Sequence, residues 1–324
     1  MRREFRDRHG FDPIGMFQPS TPPQNLRLFL DYRAELVQRL QAQWMAEADE
    51  LRSSKPDLDV VLTHVDDRFD ARMRDAIGAD AARTLSQFGG RDFTFLIEDP
   101  ATVWNLGPDR YTQIAARYKE IPTRAENLAI DVNIVERYQD VYPTKQQTGA
   151  ELLQLVHTAA RAFSRVALYF EHSILAPDVP WLPSAVAVVG RFEREGARTT
   201  VESRRGVGIR WGKPASVNGR VWPAWDGTTL WLPAGEHVVE AAAAAPSVRL
   251  LDFTGELMSA ETLPGGLTFA YRASARALAV LDRQPGKLDI DGVRTQPRTI
   301  QAEDRCVLFL PRGQHVVTLE AEPE

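Results

Sequence analysis

Four short apolar segments of the chain end in carboxylate or amide side chains. The segments occupy residues 59–65, 93–97, 128–135 and 165–170. The side chains of this kind in or just after them are Asp66, Asp67, Glu98, Asp99, Asp131, Asn133 and Glu171. Hydrolysis of a glycosidic bond requires one protonated carboxyl group beside a second, ionised one. These residues therefore predict acid–base chemistry on a carbohydrate.

Seven residues are the candidates for such a site. The expected catalytic carboxyl groups are Glu98, Asp131 and Glu171, and which of them is acid and which is base stays open. The expected substrate-binding residues are Asp66, Trp104, Asn133 and Tyr138. Structural roles are the alternative, because buried charges are otherwise costly. Asp66 would then cap a helix, Glu98 would form a turn with an ion pair, and Asp131 would pair with a buried cation.

The elements that must position these residues repeat along the first half of the chain. The apolar segments start about 35 residues apart and are separated by helical patterns, and a long helix at 25–53 precedes them. Repeats of this length are βα units of a parallel sheet, whose carboxyl ends meet at one edge. We predict an α/β domain over 1–184 with about four units, half of a (β/α)₈ TIM-type barrel. An intact four-stranded α/β domain is the structural alternative.

The second half, 185–324, has the pattern of an all-β region. Short alternating segments are separated by Asn-Gly and Asp-Gly dipeptides, which are typical of hairpin turns. The sequence Leu-Pro-x-Gly-x-His-Val-Val occurs at 232 and again 78 residues later at 310. This repeat predicts a β-sandwich region of one or two modules. Its histidines are expected to be turn residues rather than metal ligands.

Composition excludes several classes of protein. The chain has 324 residues and a net charge of −5, which argues against nucleic acid as a partner. Its single cysteine excludes an intramolecular disulfide, and no apolar run predicts membrane insertion. The sequence has no nucleotide-binding motif and no clear metal-ligand motif, so no cofactor or metal is expected. Asp66 and Asp67 leave a divalent-cation site as a further hypothesis.

The first segment resembles a known family of enzymes. Phe-Arg-Asp-Arg-His-Gly-Phe-Asp-Pro at 5–13, the long helix at 26–51 and Lys-Pro-Asp at 55–57 are similar to the passage from the fourth to the fifth strand in family-42-type glycoside hydrolases and related barrels. A β-sandwich often follows the barrel in these proteins. The resemblance covers about residues 1–190 in general form and rests on motifs of low specificity.

The resemblance implies where the catalytic residues belong. In that clan the general acid lies at the end of strand four and the nucleophile at the end of strand seven. If the four segments are strands five to eight, the acid would lie ahead of this chain. Strand seven would carry Asp131 and Asn133, with Glu136 the one glutamate at its end, which departs from the family pattern. Taken literally, this implies the C-terminal fragment of a hydrolase.

Two functions remain open at this stage. The first is a glycoside hydrolase-like protein acting on a poly- or oligosaccharide. The alternative is a non-catalytic carbohydrate-binding or surface-assembly protein, in which Trp222, Trp225 and Trp231 either form a glycan platform or pack between the sheets. A half-barrel would expose sheet edges, which predicts a homo-oligomer or a missing N-terminal half of the barrel. The absence of a signal peptide leaves two locations open, the cytoplasm or the tail of a longer secreted protein.

Overall fold

The computed structural model describes residues 1–136, 145–302 and 304–321. The chain divides into two compact units. One comprises Met1–Ser54 and Val60–Asp178, and the other comprises Lys55–Asp59 and Val179–Glu324. The first unit is α/β and the second is all-β, as the sequence predicts at this level.

The α/β unit contains six helices and a parallel sheet among its described residues. In chain order its elements are α1 (Arg2–His9), α2 (Pro23–Ser54), β1 (Val61–Val65), α3 (Arg72–Ile77), α4 (Ala81–Ser86), β2 (Thr94–Glu98), α5 (Asp109–Tyr118), β3 (Leu128–Asn133), β4 (Val135–Glu136), β5 (Lys145–Gln146), α6 (Gly149–Ala162) and β6 (Arg165–Tyr169). The parallel sheet has the order β1-β2-β3-β6, and β4 pairs with β5 in a short antiparallel ladder. The described strands do not close into a barrel.

Alternation along the strands separates two faces of this sheet. Phe95 and Ile97 of β2 and Ile130 and Val132 of β3 are buried in one core with residues of α2, α4, α5 and α6. Side chains alternate along a strand, so the residues between them point to the opposite face. Asp131 is one of these, as are the two residues that bracket it at positions 129 and 133. The strands therefore bring acidic residues onto the face that this helical core does not cover.

The all-β unit begins with a short helix and continues as strands. Its elements are α7 (Leu182–Ala187), β7 (Val189–Glu195), β8 (Arg198–Ser203), β9 (Val207–Arg210), β10 (Ala215–Val217), β11 (Arg220–Val221), β12 (Thr229–Leu232), β13 (Gly235–Ala241), β14 (Leu250–Phe253), β15 (Glu256–Leu263), β16 (Gly266–Ala273), β17 (Ala277–Leu281), β18 (Pro285–Ile290), β19 (Val293–Thr295), β20 (Thr299–Ala302), β21 (Arg305–Leu310) and β22 (Gly313–Ala321).

These strands form the same arrangement twice. A five-stranded sheet with the order β11-β10-β13-β8-β7 accompanies the pair β12-β9, and a sheet with the order β19-β18-β22-β16-β15 accompanies the pair β21-β17. Each member of the first set has its counterpart in the second in the same chain order. In the second set β14 and β20 extend the β17–β21 pair into four strands. The weak sequence repeat thus corresponds to two modules with one topology.

The repeated histidines lie at equivalent positions near the start of β13 and β22. The Nε2 atom of His237 lies 3.0 Å from the carbonyl oxygen of Pro233, and that of His315 lies 2.8 Å from the carbonyl oxygen of Arg312. Each ring also faces the hairpin residue of its module, Asn218 or Asp291. Both hairpin residues have positive φ, as a tight Asn-Gly or Asp-Gly turn requires. The histidines are therefore strand residues that pack against two turns, and not residues of the turns themselves.

Candidate functional site

A cleft lies at the carboxyl ends of β2, β3 and β6 in the α/β unit. Its volume is about 470 Å³, within the range of small-molecule sites. It is lined by Glu98, Asp99, Pro100, Ala101, Trp104, Asn133, Val135, Tyr169 and Phe170. Parallel strands direct their terminal residues to one edge of the sheet, which explains why residues so distant in sequence meet here.

One buried arginine holds the floor of this cleft together. Arg110, at the start of α5, is completely buried, and its Nε donates to a carboxylate oxygen of Asp99. Its Nη2 donates to Glu136 at 2.9 Å and to the hydroxyl of Tyr111 at 3.0 Å. Asn133 donates to the other oxygen of Asp99 at 2.7 Å. One guanidinium group therefore serves two buried carboxylates, which leaves the group with an excess of negative charge.

Glu98 and Asp131 add two more carboxyl groups to this excess. They follow Ile97 and Ile130, which are paired in the ladder between β2 and β3. Burial, together with the charges of Asp99 and Glu98, raises the pKa of Asp131 to about 7. Burial and the charge of Asp99 also raise the pKa of Glu98. Asp131 is therefore the candidate proton donor of this pair.

Asp131 is buried and has an oxygen atom without a hydrogen-bond partner among the described residues. Only 6% of it is exposed, and its Oδ1 atom has no hydrogen-bond partner among the described residues. A buried polar atom without a partner costs free energy, and such groups are concentrated at functional sites. The buried ion pair considered for this residue instead forms between Arg110 and two neighbouring acids, Asp99 and Glu136.

The loop after β1 holds its carboxylates in a different way. Asp66 accepts hydrogen bonds from the backbone N–H groups of Arg68, Phe69 and Asp70. Asp67 accepts from the backbone of Ala81 at 3.0 Å and lies 3.0 Å from Nε2 of His64. These contacts order the loop and the start of α4. The helix cap considered for Asp66 does not form, because α3 begins at Arg72 with Ala71 as its N-cap, and Asp66 instead binds the backbone of the loop before it.

The remaining candidate residues are distributed as follows. Trp104 and Asn133 line the cleft together with Glu98, so three candidates from separate segments come together. Glu171 lies in a single turn after β6, where its side chain is 78% exposed beside His172, and it does not line the cleft. Tyr138 lies outside the described residues. The catalytic role expected of Glu171 stays a prediction.

Sequence reasoning overlooked Arg110, Tyr169 and Phe170. Arg110 precedes Tyr111 and lies one turn before Ile114, so it occupies the apolar side of α5, where a charged residue is unusual. An arginine on the apolar side of a helix is the sequence feature by which Arg110 could have been recognised. Tyr169 and Phe170 lie at the end of the strand that precedes Glu171. They were not among the candidates because the sequence argument considered mainly carboxylates.

The tryptophans considered for a glycan platform have another role. Trp222 and Trp225 are each 7% exposed and belong to the core of the all-β unit. Their indole nitrogens donate to backbone carbonyls of Trp231 and Trp211 at 2.8 Å. Trp231 packs against the same core and donates to Leu251. These rings pack within the unit, so the platform hypothesis for them is wrong.

The described residues contain neither a cluster of metal ligands nor a membrane-spanning helix. Within 1–136, 145–302 and 304–321, no three His, Cys, Asp or Glu side chains are placed to hold a metal ion together. In the same residues no helix has the length and apolar character needed to cross a bilayer. No protein-family model and no curated protein matches the chain.

Proposed function

We propose that this chain is a glycoside hydrolase-like protein whose α/β unit is half of a (β/α)₈ barrel. The strand order supports this architecture. In the sheet β1-β2-β3-β6 each new strand is added on the same side, whereas a doubly wound sheet reverses direction after its first strands. Stepwise addition in one direction, with one helical core on one face, is the pattern of a barrel. The two all-β modules would then be the sandwich region that follows it.

The carboxyl pair Glu98 and Asp131 is the observation that carries the proposal. With a pKa of about 7, Asp131 carries its proton in about half of the molecules at neutral pH and in more of them at lower pH, so it is suited to protonate the oxygen of a leaving sugar. Glu98 lines the cleft and would act at the anomeric carbon as base or nucleophile. The bond between the anomeric carbon and the leaving oxygen breaks as that oxygen takes the proton of Asp131. Water adds its hydroxyl group to the anomeric carbon, and the proton of this water replaces the one that Asp131 gave up, so both side chains return to their starting state.

The rest of the cleft suits a sugar ring. Trp104, Tyr169 and Phe170 line the same cleft as Glu98 and Asp99. Tyr169 and Phe170 are 57% and 40% exposed, which is high for large apolar rings. Aromatic rings of this kind bury the apolar faces of sugars, while polar groups such as Asn133 fix their orientation.

Turnover of a panel of aryl glycosides and polysaccharides tests the proposal. Glu98→Gln and Asp131→Asn should each lower kcat by about 10²–10⁴-fold, the usual contribution of a general acid or base. Glu120→Gln, which changes an exposed carboxylate two residues after α5 that does not line the cleft, is the matched control and should leave kcat unchanged. Glu171→Gln tests the sequence-based expectation separately.

The outcomes separate cleanly. Loss of turnover in the first two variants alone supports Glu98 and Asp131 as the catalytic pair. Equal turnover in all variants, or none in the parent chain with any glycoside, contradicts the proposal. Loss in Glu171→Gln but not in Glu98→Gln would move the site to the turn after β6. Urea unfolding of each variant shows that the fold is retained.

A further inference from the structure

The charge of the cleft sets a limit on the ligand that it accepts. Glu98 and Asp99 contribute carboxylate groups to the lining, and Asn133 contributes an amide. Among the described residues of the lining there is no lysine, arginine or histidine. A cleft lined by one sign of charge concentrates ligands of the opposite sign and repels the others. Anionic sugars such as uronic acids or sulfated glycans are therefore disfavoured here.

Three of the described basic residues near this edge in sequence have partners elsewhere. Arg110 is completely buried and bonded to Asp99 and Glu136, so its charge is used below the surface of the cleft. The ammonium group of Lys145 lies 3.0 Å from Glu151. His172 lies beside Glu171 on the exposed turn. None of these three side chains lines the cleft, so its described residues present negative charge to an incoming ligand.

Asp131 provides an independent observation that the site is built for a ligand. Its side chain leaves β3 on the same face as Asn133, which lines the cleft two residues further on. The residue is 94% buried by area and its Oδ1 atom has no protein partner among the described residues. A donor brought by a ligand would satisfy this atom. Three carboxyl groups with one missing donor suit a cationic N–H group.

Exposed aromatic rings complete this environment. Trp104, Tyr169 and Phe170 stand beside the carboxylates, and the faces of such rings attract cations. A ring face together with an adjacent carboxylate is the combination that recognises an ammonium group. A neutral sugar needs the rings but not the excess of acids.

We propose that the cleft recognises a hexosamine with a free, protonated amino group. This inference rests on the proposed function, because it names the class of glycan on which the same site acts. The sugar ring stacks on the aromatic residues, and its ammonium group lies beside the carboxyl groups of Glu98 and Asp99 and donates to the unpartnered Oδ1 atom of the protonated Asp131. The N-acetylated form of the same sugar loses the charge and two N–H donors, so it binds more weakly.

Calorimetric titration with defined oligosaccharides tests the inference. The probes are glucosamine trimers with β-1,4 and β-1,6 links, and the same trimers after full N-acetylation, at pH 6 and low salt. The chain should bind at least one free-amine trimer about tenfold or more tightly than its acetylated counterpart. Raising the salt concentration should narrow this preference, since exposed charges are screened. Glu98→Gln should remove most of the preference, and Glu120→Gln should retain it.

Binding and turnover together distinguish the two proposals. Preferential binding of the amine form without hydrolysis supports the ligand class and contradicts the hydrolase function. Hydrolysis of neutral or acetylated glycans without preference for the amine does the reverse. Equal affinity for both forms, tighter binding of the acetylated form, or no binding of any trimer overturns the inference.

Discussion

The carboxyl edge of the parallel sheet has two regions that use the same residue types in opposite ways. In the loop after β1, Asp66 and Asp67 are hydrogen-bonded by backbone N–H groups and by His64. At the ends of β2 and β3, the carboxyl group of Glu98 accepts no hydrogen bond from a described residue and Asp131 has an unpartnered oxygen. In the first region, hydrogen bonds stabilise the buried carboxylates and order a loop. In the second region, an excess of negative charge remains beside an open cleft.

The pKa values of Asp70 and Asp131 show the same contrast between the two regions. Asp70, in the first region, bonds to Arg72 and Thr102, and these contacts lower its pKa to about 2. Asp131 has no cation beside it among the described residues, and burial raises its pKa to about 7. Both side chains are more than nine-tenths buried, but the hydrogen bond from Arg72 outweighs burial at Asp70, whereas the neighbours of Asp131 are further acids. Burial of an acid is therefore a poor sign of function unless its partners are known.

The largest effect on the free energy of unfolding is expected from replacing Arg110, the buried cation of the second region. Arg110→Met should lower the free energy of unfolding by about 3–5 kcal/mol, because it leaves Asp99 and Glu136 buried without their cation. Urea unfolding measures this change. The control is Arg72→Met in the first region, where the arginine is 75% exposed and its loss should matter much less. Similar losses in both variants would contradict the contrast.

A smaller effect is expected from the loop after β1. Asp66→Ala removes the acceptor for three backbone N–H groups and should cost about 1–2 kcal/mol in urea unfolding. Its kcat should match that of the parent chain, since Asp66 is committed to the loop and does not line the cleft. A loss of kcat as large as that of Glu98→Gln would support the substrate-binding role expected of Asp66 from sequence. It would contradict the contrast between the two regions of this edge.

The strands of the first unit are predictable because they are buried. The segments 93–97 and 128–135 are near-continuous apolar runs and correspond to β2 (Thr94–Glu98) and β3 (Leu128–Asn133). The acids at their ends are also visible in the sequence, so Glu98 and Asp131 were candidates from the start. Hairpin dipeptides likewise placed the turns at Asn218 and Asp291.

The partners of those acids were beyond sequence reasoning. Asp66 and Glu98 have equivalent positions at strand ends, yet one is surrounded by backbone donors and the other by a second acid. Arg110 determines the state of Asp99 and Glu136 from a helix between them in sequence. Which side chains meet depends on packing of α5 against the sheet. Glu171 shows the same limitation, because the turn after β6 directs it to solvent.

The pH dependence of unfolding in the parent chain and in Asp131→Asn tests most directly whether the excess charge holds a proton at the cleft. The pKa of Asp131 is about 7 in the folded chain, against a usual value of 3.8. An acid with a raised pKa contributes stability that is fully present below pH 3.8 and is lost as the pH rises through 7. Relative to Asp131→Asn, the parent chain should therefore lose up to about 4 kcal/mol between pH 4 and pH 8. The same pH dependence in both proteins would show that Asp131 ionises normally, and would contradict its assignment as the proton donor.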